Sequence, residues 1–339
     1  MSTHVVTLAE SLQDQGYSTG GVISNPQWSE DRNGSQGFEF FKNCSRMKKS
    51  TSPYVFSAAA DWIAKRNNKR FFFFALFMDP HSPYRRQSGY DFDPGYKGNC
   101  ADEVSIKHYD TLSTVKCGLN HIEAMYDSNV AYTDHYIGLL IGGLKKRGLY
   151  DNSIVIFVSD HGEEFADHGG FFHGNTLYRE VVHVPLIIKL PKETRGRVVH
   201  GYFPLIDLFP TILSLIGSDP SSIRPQGRSV DIGAVKDMRD EYIFGATSLY
   251  NKVRSVQNPQ YKYVYDLDKR TEQLFALPTD PMEQHNIAGA EPRMASALKK
   301  MLLDKEKEVS VEQQAGGSPP RKKLTAEEAR EMRSLGYLQ

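Results

Sequence analysis

Ile154-Val155-Ile156-Phe157-Val158-Ser159-Asp160-His161-Gly162-Glu163 is the stretch on which the reading of this chain turns. The run of branched and aromatic residues over 154–159 predicts a buried strand. It ends in an acid and an imidazole. Glycines follow at Gly162, Gly169, Gly170 and Gly174, with Asp167, His168 and His173 between them. An open α/β sheet presents its ligand site on such loops, at the carboxyl ends of its strands. Asp160 and His161 together suit a divalent cation, since the carboxylate supplies hard oxygens and the neutral imidazole a borderline nitrogen. The competing reading is a polar surface loop with incidental histidines, because Asp-His-Gly is a short pattern.

Working outward, strands and helices alternate. Thr7 and Glu10 form a capping box for a helix that stops at Gly16. Residues 19–24 read as a strand. Residues 53–66 read as a helix with a stripe of Val55, Phe56, Ala59, Trp62 and Ile63. The apolar run Phe71 to Met78 is too short to span a bilayer and reads as a central strand. Residues 85–119 are polar and rich in glycine and tyrosine without a clear period, which marks an insert. A long helix follows over 121–147, with Ile122, Tyr126, Val130, Thr133, Ile137, Leu140 and Leu144 on one face, Lys145-Lys146-Arg147 at its carboxyl end and Gly148 after it. A strand over 184–190 and a short helix over 207–216 complete this half. The alternation predicts an α/β fold, with a mostly parallel sheet sandwiched by helices. If the strands share one sheet, Asn25, His81 and Asp160 share its carboxyl edge.

From about residue 240 the pattern changes. Residues 253–257 and 261–265 flank Asn258-Pro259 as a hairpin, 274–277 adds a strand, and 292–308 reads as a helix. This predicts a small C-terminal antiparallel α+β subdomain. Tyr261, Tyr263 and Tyr265 fall on one face of a strand. The expected division is a core over 1–238, the subdomain over 239–310, and a linker with a short terminal helix over 311–339.

The 339 residues carry 41 lysines plus arginines against 41 aspartates plus glutamates. The zero net charge argues against a nucleic-acid partner or a membrane-surface field. No run is long enough for a transmembrane helix, and the first residues lack a signal-peptide pattern. The cysteines, Cys44, Cys100 and Cys117, are odd in number and match neither a metal spacing nor an obvious disulfide framework. Cys100 and Cys117 flank a polar stretch within the insert and could pair in an oxidising compartment.

Read together, several segments resemble the sulfatase family of the alkaline phosphatase superfamily. Ser159-Asp160-His161-Gly162-Glu163-Glu164, Asp167-His168-Gly169, His173-Gly174-Asn175-Thr176-Leu177-Tyr178, Glu180 and Val184-Pro185-Leu186-Ile187-Ile188 look like that family's second metal-site half. Thr7 to Thr19 is similar to its opening helix and strand. Ser24-Asn25-Pro26 and Gly37-Phe38-Glu39-Phe40-Phe41 follow as in one bacterial subgroup. Asp79-Pro80-His81-Ser82-Pro83-Tyr84 resembles its strand-end His-x-Pro-Tyr. Glu272-Gln273-Leu274-Phe275, Asp280-Pro281-Met282-Glu283 and Asn286 resemble its C-terminal signature. The segments occur in the family's order over residues 5 to 290.

The resemblance implies metal-dependent hydrolysis of sulfate esters. Asp160 and His161 would hold the metal, which is calcium in most members, with manganese or magnesium as alternatives. His81 and His173 would be catalytic, stabilising the nonbridging oxygens or protonating the leaving alcohol. Glu163, Glu164, Asp167 and His168 would support the ligating side chains from behind or shape the loop and would not themselves be ligands, and Glu180 would clamp the loop through backbone hydrogen bonds. The partner would be a small-molecule or carbohydrate sulfate ester. Compartment and oligomeric state are left open, although family members are often periplasmic, lysosomal or secreted. Family members also carry, ahead of the Thr7 helix, a strand ending in paired aspartates and a Cys-x-Pro-Ser-Arg run whose first residue becomes the formylglycine nucleophile. Only Met1 to Val6 precede that helix here, and Cys44-Ser45-Arg46 lacks the proline. The expectation is therefore a chain lacking an amino-terminal segment, inactive or incomplete as it is given. The alternatives are a phosphodiesterase or phosphonate monoester hydrolase of the same superfamily, and a noncatalytic sulfatase-like binding protein.

Overall fold

A computed structural model of the chain describes residues 5–45, 51–66, 69–219, 221, 225–236 and 242–316. Helix α1 (Leu8–Asp14) opens with the capping box: the Thr7 hydroxyl accepts from the Glu10 N–H at 3.1 Å, and Glu10 returns the bond to the Thr7 N–H at 2.8 Å. Strand β1 (Ser18–Ile23), β2 (Phe40–Asn43), helix α2 (Ser52–Ala64) and β3 (Phe71–Ala75) follow. The strands are parallel, in the order β2-β1-β3. Val55, Ala58 and Ala59 of α2 bury against this sheet beside Val22 and Cys44, and Trp62 packs against Phe71 and Phe73. Phe56 is only half-buried.

The insert carries a short antiparallel ladder, β4 (Tyr84–Arg85) with β5 (Glu103–Val104), and a disulfide between Cys100 and Cys117. His121, at the start of α3 (Leu119–Lys146), pins the insert down: its Nδ1 lies 2.9 Å from Asp93 and its Nε2 3.2 Å from the Cys100 carbonyl, under a stacked Tyr96 ring. The buried face of α3 is His121, Ile122, Met125, Ser128, Asn129 and Thr133. The apolar stripe expected along the whole helix is thus buried only in its first half, and Val130 is exposed. What the first half packs on, Tyr84, Val104, Ile106 and Phe171, comes from the insert and the histidine loop.

Strand β6 (Val155–Val158) then leads into β7 (Glu164–Phe165), β8 (Phe171–Phe172), helix α4 (Arg179–Val182) and β9 (Leu186–Lys189). One expected pairing differs. Among the described residues β6 pairs antiparallel with β9 and not with the parallel sheet, and β3 ends that sheet instead of lying inside it. The β6–β9 ribbon is correspondingly open: Phe157 is 39 %, Val158 37 % and Ile187 62 % exposed, against the burial expected for this strand. The alternation of apolar residues specifies a strand but not its neighbour.

After α5 (Leu208–Leu215), β10 (Ile243–Thr247), β11 (Val253–Gln257), β12 (Tyr261–Asp266) and β13 (Thr271–Ala276) form a four-stranded antiparallel sheet in chain order. The sequence reading missed β10, whose glycine-containing run Ile243-Phe244-Gly245-Ala246-Thr247 has weak alternation. Helix α6 (Pro292–Gly316) lays Ala295, Leu298 and Leu302 on Val256, Tyr263 and Leu274, with Tyr261 and Tyr265 at the margin. The helix runs beyond residue 310, so the expected linker does not begin at 311. The rest of that linker, the terminal helix and the 238/239 boundary lie outside the described residues. Among the described residues no helix is long and apolar enough to cross a membrane.

Candidate active site

Beyond β3 the chain turns through Asp79 to His81. The Asp79 carboxylate accepts from the backbone N–H groups of Thr51 at 2.8 Å and Ser52 at 2.7 Å, and from the Ser52 hydroxyl. It thereby satisfies donors that the first turn of α2 leaves open, and the acid favours that helix end. Asp79 is a structural anchor for the turn that carries His81. The His81 Nδ1 lies 2.6 Å from the Ser82 carbonyl. A carbonyl only accepts, so Nδ1 bears the proton of the neutral ring and Nε2 bears the lone pair.

His161, after β6, repeats the arrangement. Its Nδ1 is 2.8 Å from the Gly162 carbonyl, and its Nε2 is 3.8 Å from Asp160 Oδ2. Gly162 has to be glycine here: a Cβ would sit 2.0 Å from the Glu180 carbonyl oxygen, while its N–H donates to the Val181 carbonyl at 2.7 Å. His173, after β8, stacks on His161 with centroids 3.8 Å apart and meets His81 edge-on at 5.1 Å. Its Nδ1 is 2.9 Å from Glu163 Oε1, and the Tyr84 hydroxyl donates to Glu163 Oε2 at 2.8 Å. The loop after β6 and the turn after β3 therefore bring His81, His161 and His173 around one buried carboxylate.

The electrostatics follow from enclosure. Burial, reinforced by the neighbouring His173, lowers His81 to about 4. Burial and then His161 lower His173 to about 3. Burial raises Glu163 to about 7, against the opposing pull of His81 and the Tyr84 hydrogen bond. Water-free surroundings disfavour the charged form of each. The His173 side chain is 5 % exposed, and its Nε2 is buried with no hydrogen-bond partner among the described residues.

A second polar group fixes the same loop from outside. His168 Nδ1 lies 2.6 Å from Glu180 Oε1 and its Nε2 2.9 Å from the Glu283 carbonyl, with Tyr178 stacked at 3.7 Å. The Glu283 carboxylate receives Lys262 Nζ at 2.9 Å on both oxygens and the Arg179 N–H at 3.2 Å. Burial pushes Lys262 down and Glu283 up, and their mutual contact opposes both shifts. Glu164 accepts from Gly170 N–H at 2.9 Å, and Asp167 from Phe165 N–H at 3.0 Å. Glu180 clamps the loop through the His168 ring, not through backbone bonds as expected.

For a cation, Asp160 Oδ2 and the lone-pair nitrogen of His161 are adjacent donors on one exposed edge, and Asp160 is 73 % exposed. They fit two positions of a divalent cation's shell, and no described group of three or more ligating side chains completes one. Asn25, expected on the same edge, spends its Oδ1 on the Gln27 N–H at 2.8 Å.

The Sulfatase family model matches residues 2–218, well over half of the chain. The chain belongs to the sulfatase family. A second model, N-sulphoglucosamine sulphohydrolase, C-terminal, matches residues 166–310. This sulfatase-family chain is 27 % identical to bovine (Bos taurus) arylsulfatase K over 241 residues, covering 67 % of the chain and 43 % of the relative. It spans about half the length of the curated relatives it matches. Among solved structures, one of a protein with its substrate D-glucosamine-2-N,6-O-disulfate superposes with a TM-score of 0.70 at 18 % identity, covering 89 % of this chain and 81 % of that one. A phosphonate monoester hydrolase from Silicibacter pomeroyi gives 0.67 at 18 %, covering 89 % and 80 %. At these identities the structures share the alkaline phosphatase-like α/β fold.

Proposed function

We propose that the cleft formed by His81, His161 and His173 receives the sulfate group of a carbohydrate sulfate ester and serves its hydrolysis. The observation that carries this reading is the buried Nε2 of His173, without a hydrogen-bond partner among the described residues, beside His81 and His161 on the loop of a sulfatase-family chain. The sulfated glucosamine held by a protein of the same fold supports the substrate class.

Hydrolysis breaks the sulfur–oxygen bond to the alcohol, and the departing oxygen takes a proton. His173 is placed for that transfer at Nε2, with its ring oriented by Glu163 at 2.9 Å from Nδ1. His81 supplies a second imidazole, oriented by the Ser82 carbonyl. Asp160 and His161 would hold a divalent cation, calcium first and manganese or magnesium as alternatives. When bound, the cation polarises a sulfuryl oxygen. No Cys-x-Pro-Ser-Arg run occurs in the sequence, so the family's covalent nucleophile is assigned to none of these residues.

Calorimetry on residues 1–339 tests the reading. Inorganic sulfate is expected to bind in the presence of calcium or manganese, and the heat should vanish in Asp160→Ala and His173→Ala. Turnover of 4-nitrophenyl sulfate should be small. Tighter binding of phenylphosphonate than of sulfate would move the assignment to the phosphonate hydrolase reading, and binding of neither anion would end it.

A further inference from the structure

Tyr250, in the turn between β10 and β11, lies against the loop that carries His173. Its ring lies face to face with His108 of the insert, at 3.7 Å and 1°, and tilts toward Phe172 at 6.4 Å. Hydrogen bonds hold these segments together. Thr247 donates to the Gly174 carbonyl at 2.9 Å, Asn251 to the Asn175 carbonyl at 3.2 Å, and Asn175 to the His108 carbonyl. Gly174, at φ +84°, permits the approach: a Cβ would come within 3.0 Å of Leu249 and 3.2 Å of Tyr250.

The Tyr250 hydroxyl is buried, and no described residue bonds to it. The hydroxyls of the buried Tyr84 and Tyr263 and the half-buried Tyr178 are satisfied: Tyr84 by Glu163 at 2.8 Å, Tyr178 by Gln273 at 2.9 Å, and Tyr263 by Glu272 at 2.7 Å. A buried hydroxyl without a partner is costly, so a position that keeps one calls for a reason. Burial, then the Glu163 carboxylate, raises this phenol to about 12, so it stays a neutral donor. Burial lowers His108, which keeps its ring uncharged at neutral pH. A neutral aromatic wall with one outstanding O–H suits an uncharged, hydroxyl-bearing ring better than a second anion.

We propose that Tyr250 recognises the alcohol half of the ester, donating its O–H to a ring or hydroxyl oxygen of the sugar that carries the sulfate, with the His108–Tyr250 stack as the wall of that subsite. The hydroxyl is enclosed, so a ligand reaches it as the surface turn bearing His108 and the exposed Tyr109 gives way.

This inference rests on the sulfate-ester reading above, and the test separates the two. Residues 1–339 and Tyr250→Phe, which keeps the ring stack, are titrated by calorimetry with inorganic sulfate and with glucosamine 6-sulfate. The variant should bind the sugar sulfate about fivefold more weakly, leave inorganic sulfate unchanged and keep the parent's thermal midpoint. Equal weakening of both ligands would place the hydroxyl on the sulfate group and overturn the assignment. Unchanged sugar-sulfate binding would overturn it while leaving the sulfate reading intact. If the parent binds neither ligand, both readings fall.

Discussion

His168 and His173 lie on one loop a few residues apart, and their surroundings treat them in opposite ways. Both ring nitrogens of His168 meet acceptors, the Glu180 carboxylate and the Glu283 carbonyl. His173 uses Nδ1 on Glu163 and keeps Nε2 buried without a partner among the described residues. Burial alone would lower His168 too, but the Glu283 and Glu180 hydrogen bonds and the nearby Glu180 and Glu164 charges outweigh it, and its pKa is raised. For His173 nothing offsets burial and His161 to the same degree, and its pKa falls to about 3. The same side chain thus fastens the loop at one position and is held ready at another. The difference is the number of acceptors within reach. The fastening end runs on through Glu283 to Lys262 in the C-terminal sheet, so that sheet is tied to the loop that carries His173.

The comparison breaks most readily at Lys262. Lys262 and Glu283 are 1 % and 3 % exposed. Removing one partner of such a pair strands a buried charge, so Lys262→Ala should lose about 3–5 kcal/mol in urea unfolding. A loss under about 1 kcal/mol would show that the sheet does not fasten the loop.

His168→Gln should cost about 1.5–3 kcal/mol, the range for hydrogen bonds to charged groups. This cost carries a pH signature. The folded pKa of His168 is raised, so its protonated form favours folding. The stabilisation is complete below the unfolded value of about 6.5 and is lost as pH rises through the folded value. Unfolding curves of parent and variant should therefore differ most at acidic pH and draw together as pH rises. A gap that widens with pH would reverse the assignment. The smallest effect on stability belongs to His173→Gln, expected within about 1 kcal/mol of the parent because the amide can still donate to Glu163. Its affinity for inorganic sulfate should nevertheless fall about tenfold, the ratio that corresponds to about 1.4 kcal/mol. A large stability loss with unchanged affinity would make His173 a second fastening residue.

Much of the fold was legible because its signals are local. The Thr7–Glu10 box, the glycine stops at Gly16, Gly148 and Gly217, and the stripe around Trp62 each depend on residues within a few positions. Glu164, Asp167 and His168 make bonds within or from the loop, while Glu163 supports His173 and Tyr84 from behind. Strand pairing was less legible. The run 154–159 reads as a buried parallel strand, yet Val155–Val158 pairs antiparallel with Leu186–Lys189 and keeps Phe157 exposed. Tyr250 carried no signal at all, since a lone tyrosine in a turn is ordinary until its neighbours are known.

By itself the sequence determined the longer helices, strands β1, β3, β6, β9 and β11 to β13, the family and the crowded polar loop after β6, because capping, periodicity and motif order are properties of adjacent residues. Tertiary structure alone decided which groups meet. The Cys100–Cys117 bond, the His108–Tyr250 stack and the chain from His168 through Glu283 to Lys262 join residues far apart in the chain. The fate of each histidine was decided there as well, because a pKa depends on burial and on acceptors that arrive from elsewhere in the fold.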